Sequence, residues 1–445
     1  MGVARINDRT FAPAYRTIYA ALSVRAATEM VLLIPVVAAG IFVWLYAISY
    51  PLTDEWLLLR NAMIAHDMGW SDPLRTISAM TWQLYVHPLV LPNLIYLVLG
   101  PVFHYDARVF IFITLVCFAT MLVVFRTEIA SNAWAALPVA FVLFAPSHYM
   151  EFMWGFQFAM ATSIALAVLG LAVFNRTTPE ESAAKFSARL AGALCLIIAG
   201  LISSGEAIFG FPALLVLGLF KRLSVSRRCF AIGISFPVFY TATALVGASA
   251  DLRNIQVLRD IMAILTALGA VLVGSPVGLT AFPFNCTAAI GLAICVVVVI
   301  TTVIAWRRGL LSELAMPLAL FTFGFLVVAG IVISRPFLGN WHLQAALPAI
   351  LGAYGAAIVL ARHLISPIAL ALQAVMTALV ALVAIGYWYG YTKYGPDYNA
   401  YANKVSNYMH DYLDHPDAPK PYPPTGGWDF DSAMASFLRN NGPQR

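Results

Sequence analysis

Charge is scarce in this sequence. Only 11% of its 445 residues are Asp, Glu, Lys or Arg, and 61% are hydrophobic, whereas a soluble domain carries roughly a quarter charged residues. That balance excludes a water-soluble globular fold and leaves an all-α polytopic membrane protein. Lysine is scarcer still, 5 residues against 21 arginines, which with abundant alanine fits a GC-rich bacterial genome. The basic residues fall in short clusters between apolar runs and form no continuous patch, so the net charge of +5 is no nucleic-acid footprint and no nucleic-acid partner is expected. The cysteines, Cys117, Cys195, Cys229, Cys286 and Cys295, lie in or beside apolar runs. Their spacings are unlike those of metal ligands, and they read as small core residues. A cleavable leader is missing too. The apolar stretch 30–50 is about as long as a bilayer-spanning helix of roughly 20 residues and has no small-residue cleavage site before Asp54, so it stays as an anchor. Nor is there an internal repeat of the kind that marks a transporter.

What the sequence does have is a series of apolar runs, at 30–50, 108–125, 133–147, 153–174, 190–202, 207–220, 229–247, 286–305, 315–333, 343–361 and 367–391. These predict about 11 transmembrane helices. Arg5, Arg9, Arg16 and Arg25 precede the first, so the positive-inside bias puts residues 1–29 in the cytoplasm. Arg126, then Arg176, Lys185 and Arg189, then Lys221, Arg222, Arg227 and Arg228, then Arg307 and Arg308, and finally Arg362 fall on the same side. Together they are more than half of the 26 basic residues. Two further apolar stretches, 88–103 and 259–275, would break this parity if they crossed, and they read as membrane-embedded or interfacial external helices. The membrane domain covers 30–391. Residues 392–445 form an external tail, with Pro396, Pro416, Pro419, Pro421, Pro423 and Pro424 and six Asp against five Lys or Arg.

The external face then carries a defined set of polar residues. Asp54 and Glu55 lie just beyond the first span, where water and a substrate reach them, and an N-cap role for Asp54 is compatible with chemistry there. Residues 54–68 form a short amphipathic helix with Trp56, Leu57, Leu59, Met63 and Ile64 towards lipid, stopped at Gly69. His66, Asp67 and Asp72 read as its solvated charges. His148, Glu151 and Gln157 join two helices and are costly at a membrane interface unless they meet partners or a cavity; the bland reading is interfacial anchoring by Tyr149 and Trp154. Glu206 sits in a Ser203-Ser204-Gly205 hairpin turn. Arg335, in Ser334-Arg-Pro-Phe-Leu-Gly-Asn340-Trp341-His342, has no acid near it in sequence and suits a phosphate, with snorkelling as the plain alternative.

The acidic pair after the first helix, His87-Pro88-Leu89 opening a segment that ends in Leu99-Gly100, and Asp106-Ala-Arg108 opening the next span together resemble the N-terminal module of the GT-C superfamily. That superfamily includes lipid A aminoarabinose transferases, protein O-mannosyltransferases and oligosaccharyltransferase catalytic subunits. The resemblance is best over residues 30–220. It implies a GT-C-like multispanning fold with an external active site, a polyprenyl-phosphate-linked sugar as donor and inversion at the sugar. The family's first acid maps onto Asp54 with Glu55 beside it, and its second external acid onto Glu151. Its basic residue before proline is here His87, and only Arg335 matches the late Arg-Tyr, because Pro336 replaces the aromatic. The large external domain of some members is absent.

The chemistry agrees. Inverting transfer through an oxocarbenium-like state needs one carboxylate to take the acceptor proton, for which Asp54 is the candidate and Glu55 the alternate or positioning partner. A phosphate leaving group needs cationic stabilisation rather than an acid, and Arg335, His87, His342 and Arg259 are the candidates. His148, Glu151, Gln157, Glu206 and Trp341 are candidates for holding sugar or acceptor. No cofactor is required; a divalent ion held by Asp54, Glu151 and a histidine is allowed, but no ligand spacing demands one. The expected partners are a polyprenyl-phosphate-linked sugar, a lipid, glycan or protein acceptor and membrane lipids, in a bacterial inner membrane. The competing functions are a ligase or polymerase of lipid-linked polysaccharide and a lipid-linked-saccharide flippase or transporter, the latter predicting ionisable residues near the midplane.

Overall fold

The computed structural model describes residues 28–52, 54–68, 83–84, 87–246, 256–273, 286–334, 339–364, 382–414, 437 and 440. The first half runs α1 (Leu33–Tyr46), α2 (Glu55–Met68), the two-residue strands β1 (Gln83–Leu84) and β2 (His87–Pro88), α3 (Val90–Val102), α4 (Ala107–Glu128), α5 (Ala133–Leu143), α6 (Phe158–Asn175), α7 (Ala183–Leu201) and α8 (Gly210–Phe220). The second runs α9 (Val225–Val246), α10 (Val257–Val273), α11 (Cys286–Arg307), α12 (Ala315–Ser334), α13 (Leu347–His363) and α14 (Gly395–Asp414). Short 3-10 turns at Pro146–Phe152, Gly155–Gln157, Gly205–Phe209 and Asn340–Ala346 precede α6, α8 and α13.

The chain is a multi-pass, all-α membrane protein. Among the described residues seven helices are long and apolar enough to cross a bilayer, or eight if α5 and Pro146–Phe152, bent by 60° to each other, form one span. The expected total of eleven includes 367–391, which lies partly outside the described residues. Caps read directly from sequence set several boundaries. Asp106 accepts from the Arg108 amide at the start of α4, Asn132 from Ala135 at α5 and Ser182 from Lys185 at α7, each satisfying an otherwise orphaned donor. The bend after α5 has a local cause: Pro146 forces the residue before it out of the helical region, and Ala145 is extended at ψ 124°.

Glycines let the spans approach to backbone contact, the usual device where no hydrophobic effect separates helix from lipid. A Cβ at Gly352 would lie 2.5 Å from the Pro317 carbonyl, and one at Gly324 would lie 2.3 Å from the Ala349 nitrogen, so α12 and α13 pack antiparallel. Gly269 meets the Thr287 carbonyl and Gly291 the Leu265 carbonyl, which makes α10 and α11 antiparallel as well. With 13 residues, α3 is about 20 Å long and too short for a hydrocarbon core of ~30 Å. Its Leu94, Val98 and Val102 are exposed along one stripe while Asn93 and Tyr96 are buried, as suits an embedded helix.

One expectation is corrected. Trp56, Leu57, Leu59 and Met63 of α2 are buried inside the protein, so this face packs on protein rather than on lipid. Burial leaves polar groups to be satisfied, and Asn61 donates to Asn93 at 3.1 Å, tying α2 to α3.

The bundle has two chemically distinct ends. At one, Arg126 pairs with Glu29 at 2.5 Å, Arg176 with Glu128 at 2.7 Å and Arg189 with Glu181 at 2.9 Å. Lys221 donates to the Asn175 carbonyl, Arg222 to Ser312 and Arg362 to the Ile129 carbonyl. The basic clusters of the sequence thus meet one another. At the opposite end of the same helices the Ala107 amide donates to the Ser49 carbonyl, Leu91 to Ile202, and the Ser203 hydroxyl to the Ala159 carbonyl.

Candidate active site

Three loops far apart in sequence meet at this second end. Trp154 Nε1 donates to the Leu52 carbonyl at 2.9 Å, joining the loop after α1 to the turns before α6. Gln344 Nε2 donates to Gln157 Oε1 at 2.6 Å and Asn340 Nδ2 to the Ser147 carbonyl at 3.4 Å, which brings in the segment before α13. Trp341 packs edge-on against Trp154, ring centroids 6.2 Å apart. The chain from Tyr391 into α14 closes the ring: Tyr391 donates to the Ala38 carbonyl, Asn399 to the Tyr46 carbonyl, and the Tyr394 ring stacks on Tyr149 at 5.3 Å.

Asp54 immediately precedes α2, half-buried, and its carbonyl accepts from the Leu57 amide. Its neighbour Glu55 is fully buried. Adjacent helical residues point in different directions, so the two carboxylates have separate environments. Glu55 Oε2 accepts from the Leu52 amide at 3.3 Å, and its Oε1 has no hydrogen-bond partner among the described residues. Burial, opposed by the Leu52 amide and assisted by Asp106, pushes the Glu55 carboxyl up to about 8. Asp106 is itself bound by Arg108, with Nε–Oδ1 at 2.9 Å. The Tyr96 hydroxyl is buried without a partner among the described residues.

Glu151 and His148 are also fully buried. His148 Nε2 lies 2.7 Å from the Val271 carbonyl; a carbonyl only accepts, so Nε2 carries the proton and Nδ1 is left as an acceptor. That nitrogen lies 3.7 Å from Glu151 Oε2, and neither Glu151 oxygen has a hydrogen-bond partner among the described residues. Glu206 is buried in the turn before α8. His342 is buried and its Nδ1 accepts from the Gly339 amide at 3.1 Å, a capping role at the turn before α13.

The sequence candidates therefore divide. Asp54, Glu55, His148, Glu151, Gln157, Trp341 and His342 are brought to one region. Arg259 is not: it pairs with Asp260 at 3.2 Å near the start of α10, about 18 Å along that helix from Val271. Arg335 and Asp72 lie outside the described residues, as do the side chains of His66, Asp67 and His87, though the His87 backbone pairs with Leu84 in the β1–β2 ladder. Sequence reasoning missed Ser147, Asn340, Gln344 and Gly155. The signal for Asn340 and Gln344 was two amides, one just ahead of the 343–361 apolar run and one inside its first turn, where each has to find a buried partner. Among the described residues no group of three His, Cys, Asp or Glu side chains is placed to hold a metal ion.

No family model and no curated protein matches the sequence. Solved structures do. ArnT from Cupriavidus metallidurans in the apo state superposes with a TM-score of 0.52 at 15% identity, over 93% of this chain and 85% of that one. The same protein bound to undecaprenyl phosphate gives 0.50 at 14% identity, over 95% and 85%. The chain has an ArnT-like fold. The structural similarity covers 93% of this chain and so extends past residue 220, where the sequence resemblance fades.

Proposed function

We propose that this protein is an inverting glycosyltransferase that moves a hexosyl or pentosyl group from a polyprenyl-phosphate donor to a lipid, glycan or protein acceptor at the outer face of a bacterial inner membrane. The observation that carries the reading is the meeting of the Asp54 loop, the Pro146–Gln157 turns and the Asn340–Ala346 turn at the end of the bundle away from the basic clusters. The ArnT fold supports it, one ArnT structure being bound to undecaprenyl phosphate. The positive-inside rule assigns the basic end to the cytoplasm, with the N-terminus inside and the tail outside.

Asp54 is the base in this proposal. It is partly accessible, whereas Glu55 is sealed in and holds its proton into neutral pH. Asp54 takes the proton of the acceptor hydroxyl as that oxygen attacks the anomeric carbon. The new C–O bond forms as the bond to the phosphate oxygen breaks on the opposite face, and the electron pair leaves with the polyprenyl phosphate. The leaving phosphate takes its charge without a proton and calls for cations or N–H donors. Arg335 is the first candidate, since Ser334 before it ends α12 and Gly339 after it opens the turn at the site; His87 and His342 follow. Glu151, His148, Gln157, Glu206 and Trp341 are assigned to sugar or acceptor. No step requires a metal, and a ligase or polymerase of lipid-linked polysaccharide would share donor and face.

One observation favours a carrier. The antiparallel register of α10 and α11 sets the Arg259–Asp260 pair level with the middle of α11, and charges at such depth are a mark of transport pathways. Purified protein in detergent, given synthetic short-chain polyprenyl-phosphate mannose, glucose or arabinose, decides between them. Glycosyl transfer or donor hydrolysis is expected; a protein that binds these donors and consumes none of them is not a transferase.

A further inference from the structure

Both backbone polar groups of Leu52 are held by side chains from elsewhere in the site. Its N–H donates to Glu55 Oε2 at 3.3 Å and its carbonyl accepts from Trp154 Nε1 at 2.9 Å. The residue after that tryptophan is glycine, and a Cβ at position 155 would lie 2.3 Å from Glu55 Oε1 and 2.9 Å from Oε2, so any larger residue displaces the carboxyl. The Glu55 carboxyl therefore sits directly on the backbone of Gly155. Leu52, Glu55, Gly155 and Trp154 form a closed bracket that ties the loop after α1 to the turns before α6. Asp54 is enclosed in the bracket by sequence, two residues after Leu52 and one before Glu55. Trp341 packs edge-on against the bracket at Trp154.

Such a bracket does more than fill space. A single-turn loop between a span and a helix has two soft dihedrals per residue, and a general base has to meet the acceptor proton within hydrogen-bond reach. Fixing the loop on both sides of Asp54 removes that freedom before substrate arrives. A second ionised carboxylate beside Asp54 adds nothing to the fixation, and nothing in the enclosed surroundings of Glu55 opens it to an acceptor.

We propose that Glu55, seated on Gly155 and joined through Leu52 to Trp154, is the positioning residue that aims Asp54, and not a second acid or base of the reaction. The role rests on the assignment of Asp54 as base. It makes the small size of residue 155 and the length of residue 55 a matched pair.

The test uses the purified full chain in detergent and whichever of the three polyprenyl-phosphate sugars the wild type consumes, comparing Gly155→Ala, Glu55→Asp, the double variant and Glu55→Gln. Gly155→Ala is expected to lower kcat about ten- to a hundred-fold, the scale of an ångström-size misplacement, with donor KM unchanged. Glu55→Asp withdraws the carboxyl by one methylene, so the double variant should regain about ten-fold or more over Gly155→Ala alone. Glu55→Gln, which keeps the acceptor for the Leu52 amide, should lose no more than about five-fold and keep the wild-type pH–rate profile. Gel filtration and thermal midpoints establish that each variant is folded. A double variant no better than Gly155→Ala, or Gly155→Ala lowering the midpoint with kcat intact, overturns the positioning role. Loss of an ionisation from the pH–rate profile of Glu55→Gln overturns it in favour of Glu55 as base. Consumption of no donor by the wild type overturns the transferase reading, and the positioning role goes with it.

Discussion

Gln344 donates its side-chain amide to the side-chain oxygen of Gln157 at 2.6 Å, with both residues buried and 187 positions apart. This bond joins the middle of the chain to its last third at the depth of the site. Removing one partner strands the other, so Gln344→Ala should cost about 1–3 kcal/mol of stability, read as a lower unfolding midpoint in detergent. Replacing both residues by leucine should cost less than the sum of the single changes. Additive losses would mean that the two amides are not coupled.

Asp54→Asn keeps shape and hydrogen bonding and removes the base. Transfer should fall by about a hundred-fold or more, while the protein still inserts and binds donor. Glu55→Gln should cost much less. Near-wild-type transfer by Asp54→Asn would move the role of base to Glu151.

For Arg335 the expected order of activity is wild type, then Lys, then Ala. Lysine keeps the charge and loses the bidentate fork, and alanine loses both, weakening donor binding by roughly 1.5–3 kcal/mol. Snorkelling alone predicts a nearly neutral lysine. If Arg335→Ala binds and consumes donor like wild type, the phosphate site lies elsewhere.

Burial holds Glu55 protonated to about pH 8, against an ordinary value of 4.5. Below the ordinary value both folded and unfolded chains carry the proton. As pH rises the unfolded chain gives it up first, so stability falls between about 4.5 and about 8 and is level above. The Leu52 amide and Asp106 act on this group in opposite senses. Relative to Glu55→Gln, the wild-type free energy of unfolding should decline across that window by at most a few kcal/mol, read as a falling unfolding midpoint. Parallel curves for the two proteins would show that Glu55 is not the group that titrates.

Sidedness is testable with single cysteines. An impermeant thiol reagent should label Asp72→Cys in intact cells and leave Ser226→Cys untouched. The reverse pattern inverts the topology.

The spans were legible because a bilayer demands long apolar runs, and α4, α6, α11, α12 and α13 begin and end within a few residues of the runs that predict them. The failures share one cause. Hydropathy does not tell lipid from protein interior, so Trp56, Leu57 and Leu59 read as lipid-facing when they are enclosed. An acid at a helix start reads as solvated, so the burial of Glu55 was invisible. Gln344 was hidden in an apolar run, and its partner is 187 residues away. Gly155 carries no chemistry of its own; its meaning exists only when the Glu55 carboxyl is seen to rest on it.

The first span is held by the chain from Tyr391 into α14. Tyr391 bonds Ala38, Asn399 bonds Tyr46, and Gly395 sits so close to Phe42 and Tyr46 that a Cβ there would approach both rings to 2.8 Å. Synthesis runs from the N-terminus, so α4, whose Arg126 pairs with Glu29, is made long before residues 391–399 reach the other flank of α1. A chain broken off before residue 391 would leave this flank of α1 open. That flank, with Phe42 and Tyr46 on it, is therefore covered only after most of the bundle has been made.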